Sequence, residues 1–292
     1  MKKFKGTGVA IVTPFKNDLS IDFSALGRVI NHVIDGGVNY IVALGTTGES
    51  VTLSKEEKKA VISYVVETVD KKVPVVVGIG GNNTQEVINS IIHTDLTGVD
   101  GILSVAPYYN KPNQRGLYQH FRTIANTSPI PVILYNVPGR TSSNLTADTC
   151  LELAHEYENI VAVKEASGDI TQIMKIIKGK PENFSVISGD DMMTLPVIAA
   201  GGSGVISVLA NAYPAQTSEL VNHSLKQNFK AARELQFRFI EMIELLFADG
   251  NPAGVKAMMS EMKICLNTLR LPLVPVSNPV MEKIRKAMKE VK

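Results

Sequence analysis

The sequence predicts an α/β fold: a (β/α)8 TIM barrel carrying a C-terminal helical appendage. Three observations lead there. Short apolar runs of five to eight residues recur eight times, each run is followed by a stretch of helical period, and successive runs lie 25 to 35 residues apart, the length of a strand plus its crossover helix. Unbroken apolar runs of this kind belong to parallel strands covered on both faces. Eight such units completed by about residue 225 fit a closed barrel better than an open doubly wound sheet, which usually has fewer parallel strands.

The first run, TGVAIVTPF, follows a basic start, but its apolar part is too short for a signal peptide and ends at Thr13-Pro14, so it reads as a strand. YIVALGTTGES, PVVVGIGG and GILSVAPYY supply strands two to four, near residues 44, 77 and 104. PVILYNVPG, IVAVKEASG, FSVISGDD and SGVISVLAN supply the remaining four, near 134, 163, 187 and 207. Ser54 with Glu57 three residues on forms a capping box for one helix, and Asn83 or Thr84 caps the next. The uncharged stretch 192–218 contains Pro196, Gly201, Gly202, Gly204, Asn211 and Pro214, which would break a membrane helix; a helix, a turn and a buried strand account for it. Beyond about residue 225 the strand pattern stops, and helical segments are expected at 229–247, 252–266 and 279–291. The division is therefore a catalytic barrel over 1–225 and a three-helix appendage over 226–292, too short to bury much core alone. The last segment puts Met281, Ile284, Met288 and Val291 on one stripe, with Lys283, Arg285, Lys286 and Lys289 around it. This reads as a docked helix with a solvated face rather than a membrane-surface helix.

Composition narrows the function. With 30 Lys+Arg against 28 Asp+Glu the net charge is only +2, so no global field favours nucleic acid or an anionic membrane. The two cysteines, Cys150 and Cys265, exclude a disulfide scaffold or a four-cysteine zinc site and suit a reducing compartment, so the expected location is the cytoplasm.

In a parallel barrel the chemistry sits where strands end. Lys164 ends the run Ile160-Val161-Ala162-Val163 and should project into the barrel mouth, while alternation turns Glu165 outward beneath the helices. Desolvation favours the uncharged amine of a lysine, and a free amine attacks a ketone to form a Schiff base; the competing reading is an ion pair with a rim carboxylate. Tyr135 ends strand five, beside strand six, where its hydroxyl can shuttle a proton or simply be packed. Tyr108 and Tyr109 follow strand four. Thr46 and Thr47 lie between Gly45 and Gly48, a loop able to hold a small carboxylate, though a lone G-x-x-G is weak evidence. Arg140 offers a guanidinium fork to a second carboxylate, or to a rim ion pair. All five histidines, His32, His93, His120, His155 and His223, fall in helical segments, which argues against a metal-dependent aldolase. Asp190 and Asp191 read as a helix cap, and Gly201, Gly202 and Gly204 as the turn into the last strand.

GTTGES, PYYNKP, YNVPGRT, VKEASGD and GVISV occur in this order and spacing, and on them nearly the whole chain resembles the dihydrodipicolinate synthases of the N-acetylneuraminate lyase superfamily of class I aldolases. The resemblance implies condensation of pyruvate with aspartate 4-semialdehyde, without a metal or organic cofactor, in a homotetramer built from two tight dimers. By motif, Lys164 resembles the imine-forming lysine, and Thr46, Tyr135 and Tyr109 the proton relay, Tyr109 being supplied by the neighbouring subunit. Thr47 resembles the pyruvate-carboxylate binder and Arg140 the binder of the second substrate's carboxylate, with Gly189 and Ile206 as backbone contacts. Ser50, Asn82, Glu86 and Tyr108 resemble parts of a lysine effector site. Here Lys55 and Lys58 stand where lysine-sensitive relatives carry histidines, so weak or absent inhibition is expected. The alternatives are a lyase for N-acetylneuraminate or a 2-keto-3-deoxy sugar acid, and a non-catalytic barrel that binds a keto acid. Arg140 and the paired threonines favour the synthase over a lyase.

Overall fold

A computed structural model describes residues 3–291. Eight strands, β1 (Gly6–Ala10), β2 (Tyr40–Ala43), β3 (Val75–Gly78), β4 (Gly101–Val105), β5 (Val132–Asn136), β6 (Ile160–Glu165), β7 (Ser185–Ser188) and β8 (Gly204–Ser207), close into one barrel in chain order. Every pairing is parallel, and β8 returns to β1 with Gly204 opposite Gly6. Each strand coincides with one of the eight apolar runs, β1 starting one residue ahead of its run at Gly6.

Period-two alternation splits the strands between two cores. Inside the barrel Ala10, Val42, Val76, Leu103, Ile133, Ala162, Ile187 and Ile206 pack together, with Tyr135 near the mouth and Phe4 and Tyr40 also in this core. Tyr40 is fully buried, and a Cβ on Gly8 would lie 2.3 Å from its ring, so glycine is what makes room for the tyrosine. Gly204, at φ +148, approaches β1 so closely that a Cβ would sit 1.9 Å from the Gly6 carbonyl oxygen. The turn into β8 therefore needs glycine for steric reasons. Outside the strands, Val9, Ile41, Val77, Ile102, Leu134 and Val163 meet the helices in the larger core.

The capping box forms as expected: Ser54 Oγ accepts from Glu57 N, and Ser54 N donates to Glu57 Oε2. Asn83, rather than Thr84, caps the next helix, accepting from Gln85 N and Glu86 N. The expectation for Asp190 and Asp191 needs correction. Asp190 accepts from Met192 N in a turn, whereas the helix Thr194–Ala199 starts after Met193 with no side-chain cap. Asp191 is buried and its carboxylate accepts from Ser207 Oγ, Val208 N and Leu209 N, tying the end of β8 to the loop after β7.

The C-terminal segments differ in detail from their expected spans. Segment 229–247 is two helices, Phe229–Arg238 and Ile240–Phe247. They are broken at Phe239, whose N–H bonds to Gln236 three residues back and whose ring packs 5.1 Å from that of Tyr213. Segment 252–266 keeps helix only over Ala253–Glu261, and Lys263 then takes a left-handed φ of 62°. The last helix, Asn278–Glu290, buries Ile284 and Ala287 and packs Met281, Met288 and Val291 against the larger core, leaving Lys283, Arg285, Lys286 and Lys289 outward. Met242, Leu246, Met258 and Met259 belong to the same continuous core as Ile11, Phe15 and Leu26, so the C-terminal helices share the barrel's outer layer. Among the described residues no helix is long and apolar enough to cross a membrane.

One buried group gives the fold a pH dependence. His120, 4% exposed on the helix Gln114–Thr127, pairs through Nδ1 with Thr84 Oγ1 at 2.8 Å, and burial lowers its pKa to about 4. An unfolded imidazole binds its proton near pH 6.5. Stability is therefore fully present above that value and falls as the pH drops towards about 4, by up to about 3 kcal/mol. Urea unfolding of His120→Phe between pH 7 and 4 should show a correspondingly shallower decline; an unchanged slope would contradict this.

Candidate active site

Parallel strands all deliver their C-terminal ends to one face, and the loops there collect the residues singled out above. Tyr135 and Lys164 are register partners on β5 and β6. Both are buried, at 6% and 5% exposure, and the Lys164 ammonium lies 4.3 Å from the centroid of the Tyr135 ring. Among the described residues no carboxylate lies within ion-pair distance of Lys164, so the rim ion-pair reading does not hold. Glu165 points to the opposite face, where Asn136 Nδ2 donates to both its oxygens at 3.1 Å, Gln172 Nε2 at 3.0 Å and Ser167 N at 2.8 Å. Burial pushes the Glu165 carboxyl above its ordinary range, and those hydrogen bonds oppose the shift.

Gly189 closes one side of the lysine. Its N–H donates to the Glu165 carbonyl at 2.8 Å, and a Cβ on it would fall 3.0 Å from both Cγ and Cε of Lys164 and 2.8 Å from Ala166 Cβ. A methyl group there would have to displace Ala166 and press on the lysine stem. Ile206, 1% exposed on β8, lines the same interior.

The loop after β2 turns on bonds from Gly48 N to Gly45 O and from Glu49 N to Thr46 O, both 3.1 Å. Thr47 is buried and its Oγ1 accepts from Asn251 Nδ2 at 3.0 Å, while Thr46 is exposed and its hydroxyl makes no hydrogen bond among the described residues. Arg140 stands exposed on the short turn Pro138–Thr141, again without an ion pair among the described residues. Its loop is pinned at both ends: Leu145 N donates to Asn136 Oδ1 at 2.9 Å, and Ser143 Oγ donates at 2.6 Å to the carbonyl of Pro107, next to Tyr108. Tyr109 takes φ +75 and is 88% exposed.

The fold thus brings Lys164, Tyr135 and Gly189 together. It does not place the hydroxyls of Thr46 or Tyr109 in a hydrogen bond with Tyr135 among the described residues. Around the expected effector positions, Asn82 Nδ2 donates to the Tyr108 carbonyl at 3.3 Å, Ser50 opens the 3-10 turn Ser50–Thr52, and Lys55 and Glu86 are exposed. Lys58 is half-buried; burial first, and the Lys55 ammonium second, push it below the ordinary lysine value. The five histidines all lie in helices, away from the strand ends. Sequence reasoning missed Glu49, at the end of the loop after β2, and Asn251, Lys256 and Arg270, which brace that loop from the C-terminal segment. One signal was present, a lysine set within the apolar run of 252–259.

Comparison with known proteins places the chain among relatives of one family. A model of the dihydrodipicolinate synthetase family matches residues 3–291. The 4-hydroxy-tetrahydrodipicolinate synthase of Flavobacterium psychrophilum is 51% identical over 284 residues, covering 97% of each chain. Among solved structures, the dihydrodipicolinate synthase of Thermotoga maritima superposes with a TM-score of 0.97 at 40% identity, covering 99% of both chains. A monomeric dihydrodipicolinate synthase variant superposes equally well, TM-score 0.97 at 39% identity, over 99% of this chain and 97% of its own.

Proposed function

Since this chain belongs to the dihydrodipicolinate synthetase family, we propose that it condenses pyruvate with L-aspartate 4-semialdehyde, giving 4-hydroxy-tetrahydrodipicolinate on the route to diaminopimelate and lysine. The observation that carries this reading is the buried Lys164 over the Tyr135 ring, with no carboxylate among the described residues paired to it. The Lys164 amine attacks the pyruvate ketone carbon, and the resulting carbinolamine loses water, Tyr135 giving and taking the protons. The imine draws electrons from the methyl group, which loses a proton to leave an enamine. That enamine carbon attacks the aldehyde of the second substrate, whose amine then closes onto the imine carbon and releases Lys164. One water leaves for each pair of substrates joined. Thr47 holds the pyruvate carboxylate, Thr46 and Tyr109 extend the proton relay, and Gly189 and Ile206 bound the substrate through their backbones. Arg140, which makes no ion pair among the described residues, takes the second substrate's carboxylate, which favours this reaction over cleavage of a neutral-ended sugar acid. A coupled assay with both substrates, run beside one for N-acetylneuraminate cleavage, separates the two: turnover of the sugar acid alone would overturn the assignment. The two free, buried cysteines suit action in the cytoplasm.

The site is completed by a second copy of the chain. Tyr109 is 88% exposed, as a side chain given to a neighbouring site must be, and Val51 and Leu271 are apolar side chains 82% and 78% exposed. Two such dimers form the proposed tetramer. Because a monomeric variant shares this fold, the case for assembly rests on Tyr109. Mixing inactive Tyr109→Phe chains with inactive Lys164→Ala chains should restore activity, since a hybrid dimer holds one intact site. No recovery after verified subunit exchange would show that Tyr109 acts in its own subunit or not at all.

Ser50, Asn82, Glu86 and Tyr108 would receive a lysine effector, but Lys55 and Lys58 set ammonium groups beside it. Each repels a cationic ligand by about 1 kcal/mol at about 4 Å even in water. Lysine should therefore inhibit weakly or not at all; half-inhibition below about 1 mM in the coupled assay would contradict this.

A further inference from the structure

The loop bearing Thr46 and Thr47 ends in an unusual residue. Glu49 takes φ +51, a left-handed conformation that non-glycine residues seldom adopt, and its side chain is fully buried. Both carboxylate oxygens are held from the far end of the chain: Lys256 Nζ donates to Oε1 at 2.5 Å, and Arg270 N donates to Oε2 at 3.2 Å. The Lys256 side chain is equally buried, donates also to the Thr268 carbonyl at 2.9 Å, and lies 4.3 Å from the centroid of the Phe15 ring. The Arg270 guanidinium stacks on the same ring at 4.5 Å, forks onto Glu57, and donates to the carbonyls of Leu19 and Thr52. Two residues before Glu49, Asn251 Nδ2 donates to Thr47 Oγ1. A hydroxyl that already accepts from the protein keeps its own proton for an outside acceptor.

A fully buried ion pair seldom stabilises a fold more than an apolar pair of the same volume, because both charges lose their water. Here it grips the one strained residue between the Thr46–Thr47 turn and the helix Lys55–Val69. We propose that the Glu49–Lys256 pair is a positioning device, through which the C-terminal segment sets the Thr46–Thr47 loop to receive the carboxylate of a 2-oxo acid. The inference rests on the reading of Thr47 as the pyruvate-carboxylate binder. It makes residues 251–270 part of the working site rather than an outlying appendage.

The test is the double variant Glu49→Leu with Lys256→Met, which removes both charges at similar volume, where either single change would strand a buried charge. Three quantities are read: the pyruvate concentration giving half-maximal borohydride-trapped adduct on Lys164, the midpoint of thermal unfolding, and the half-saturating aspartate 4-semialdehyde at saturating pyruvate. The expected result is a pyruvate requirement raised about tenfold or more, with the unfolding midpoint and the semialdehyde requirement little changed. A folded double variant with an unchanged pyruvate requirement would overturn the proposal. So would a double variant that does not fold, since the pair would then serve the fold and not the loop. Wild-type protein that forms no pyruvate adduct would instead overturn the functional reading, and this inference with it.

Discussion

Lys164→Ala lowers turnover by a factor of about 10⁴ or more, the scale expected when a covalent nucleophile is deleted. The size follows from the setting of the residue. β6 is flanked by β5 and β7, Gly189 packs against the lysine stem, and among the described residues no neighbouring carboxylate pairs with the amine. Among the described residues no other lysine is an inward-facing residue at a strand end: Lys256, the other buried one, is committed to Glu49. Steady-state rates in the coupled assay measure the effect. Retained activity with an adduct on another lysine would defeat the assignment.

Tyr135→Phe costs about 10² to 10⁴ in rate if the phenol carries protons. The substitution is informative because of the contact it preserves. The Lys164 ammonium lies over the ring face, which phenylalanine keeps, while the hydroxyl that is lost makes no hydrogen bond among the described residues. A change in rate therefore reports the hydroxyl rather than the packing. A fall of less than about threefold would make Tyr135 a packing residue.

Much of this site was legible in the sequence, for a physical reason. Strand alternation fixes side-chain direction once a run is recognised, so IVAVKE alone turns Lys164 inward and Glu165 outward, as the inner and outer cores of the barrel bear out. Likewise Ser54 and Glu57 announce their helix through a bond spanning three residues. What escaped was long-range. Glu49 and Lys256 are 207 positions apart, and local pattern cannot pair a strained loop carboxylate with a lysine in a distant helix. Local pattern makes Asp191 a cap, because aspartate before a helix usually is one. Its carboxylate instead meets amides 17 and 18 residues onward, a contact created only when β7 and β8 lie side by side. The break at Phe239 has no local mark either, since no glycine or proline stands there and its ring meets Tyr213, 26 residues away in sequence.

The most direct test of the central claim is reduction with borohydride in the presence of pyruvate, followed by mass mapping of peptides. A pyruvyl adduct on Lys164 alone, absent without pyruvate and absent from Lys164→Ala, is the predicted result. An adduct on a different lysine, or none at all in protein that turns over both substrates, would contradict the Schiff-base account.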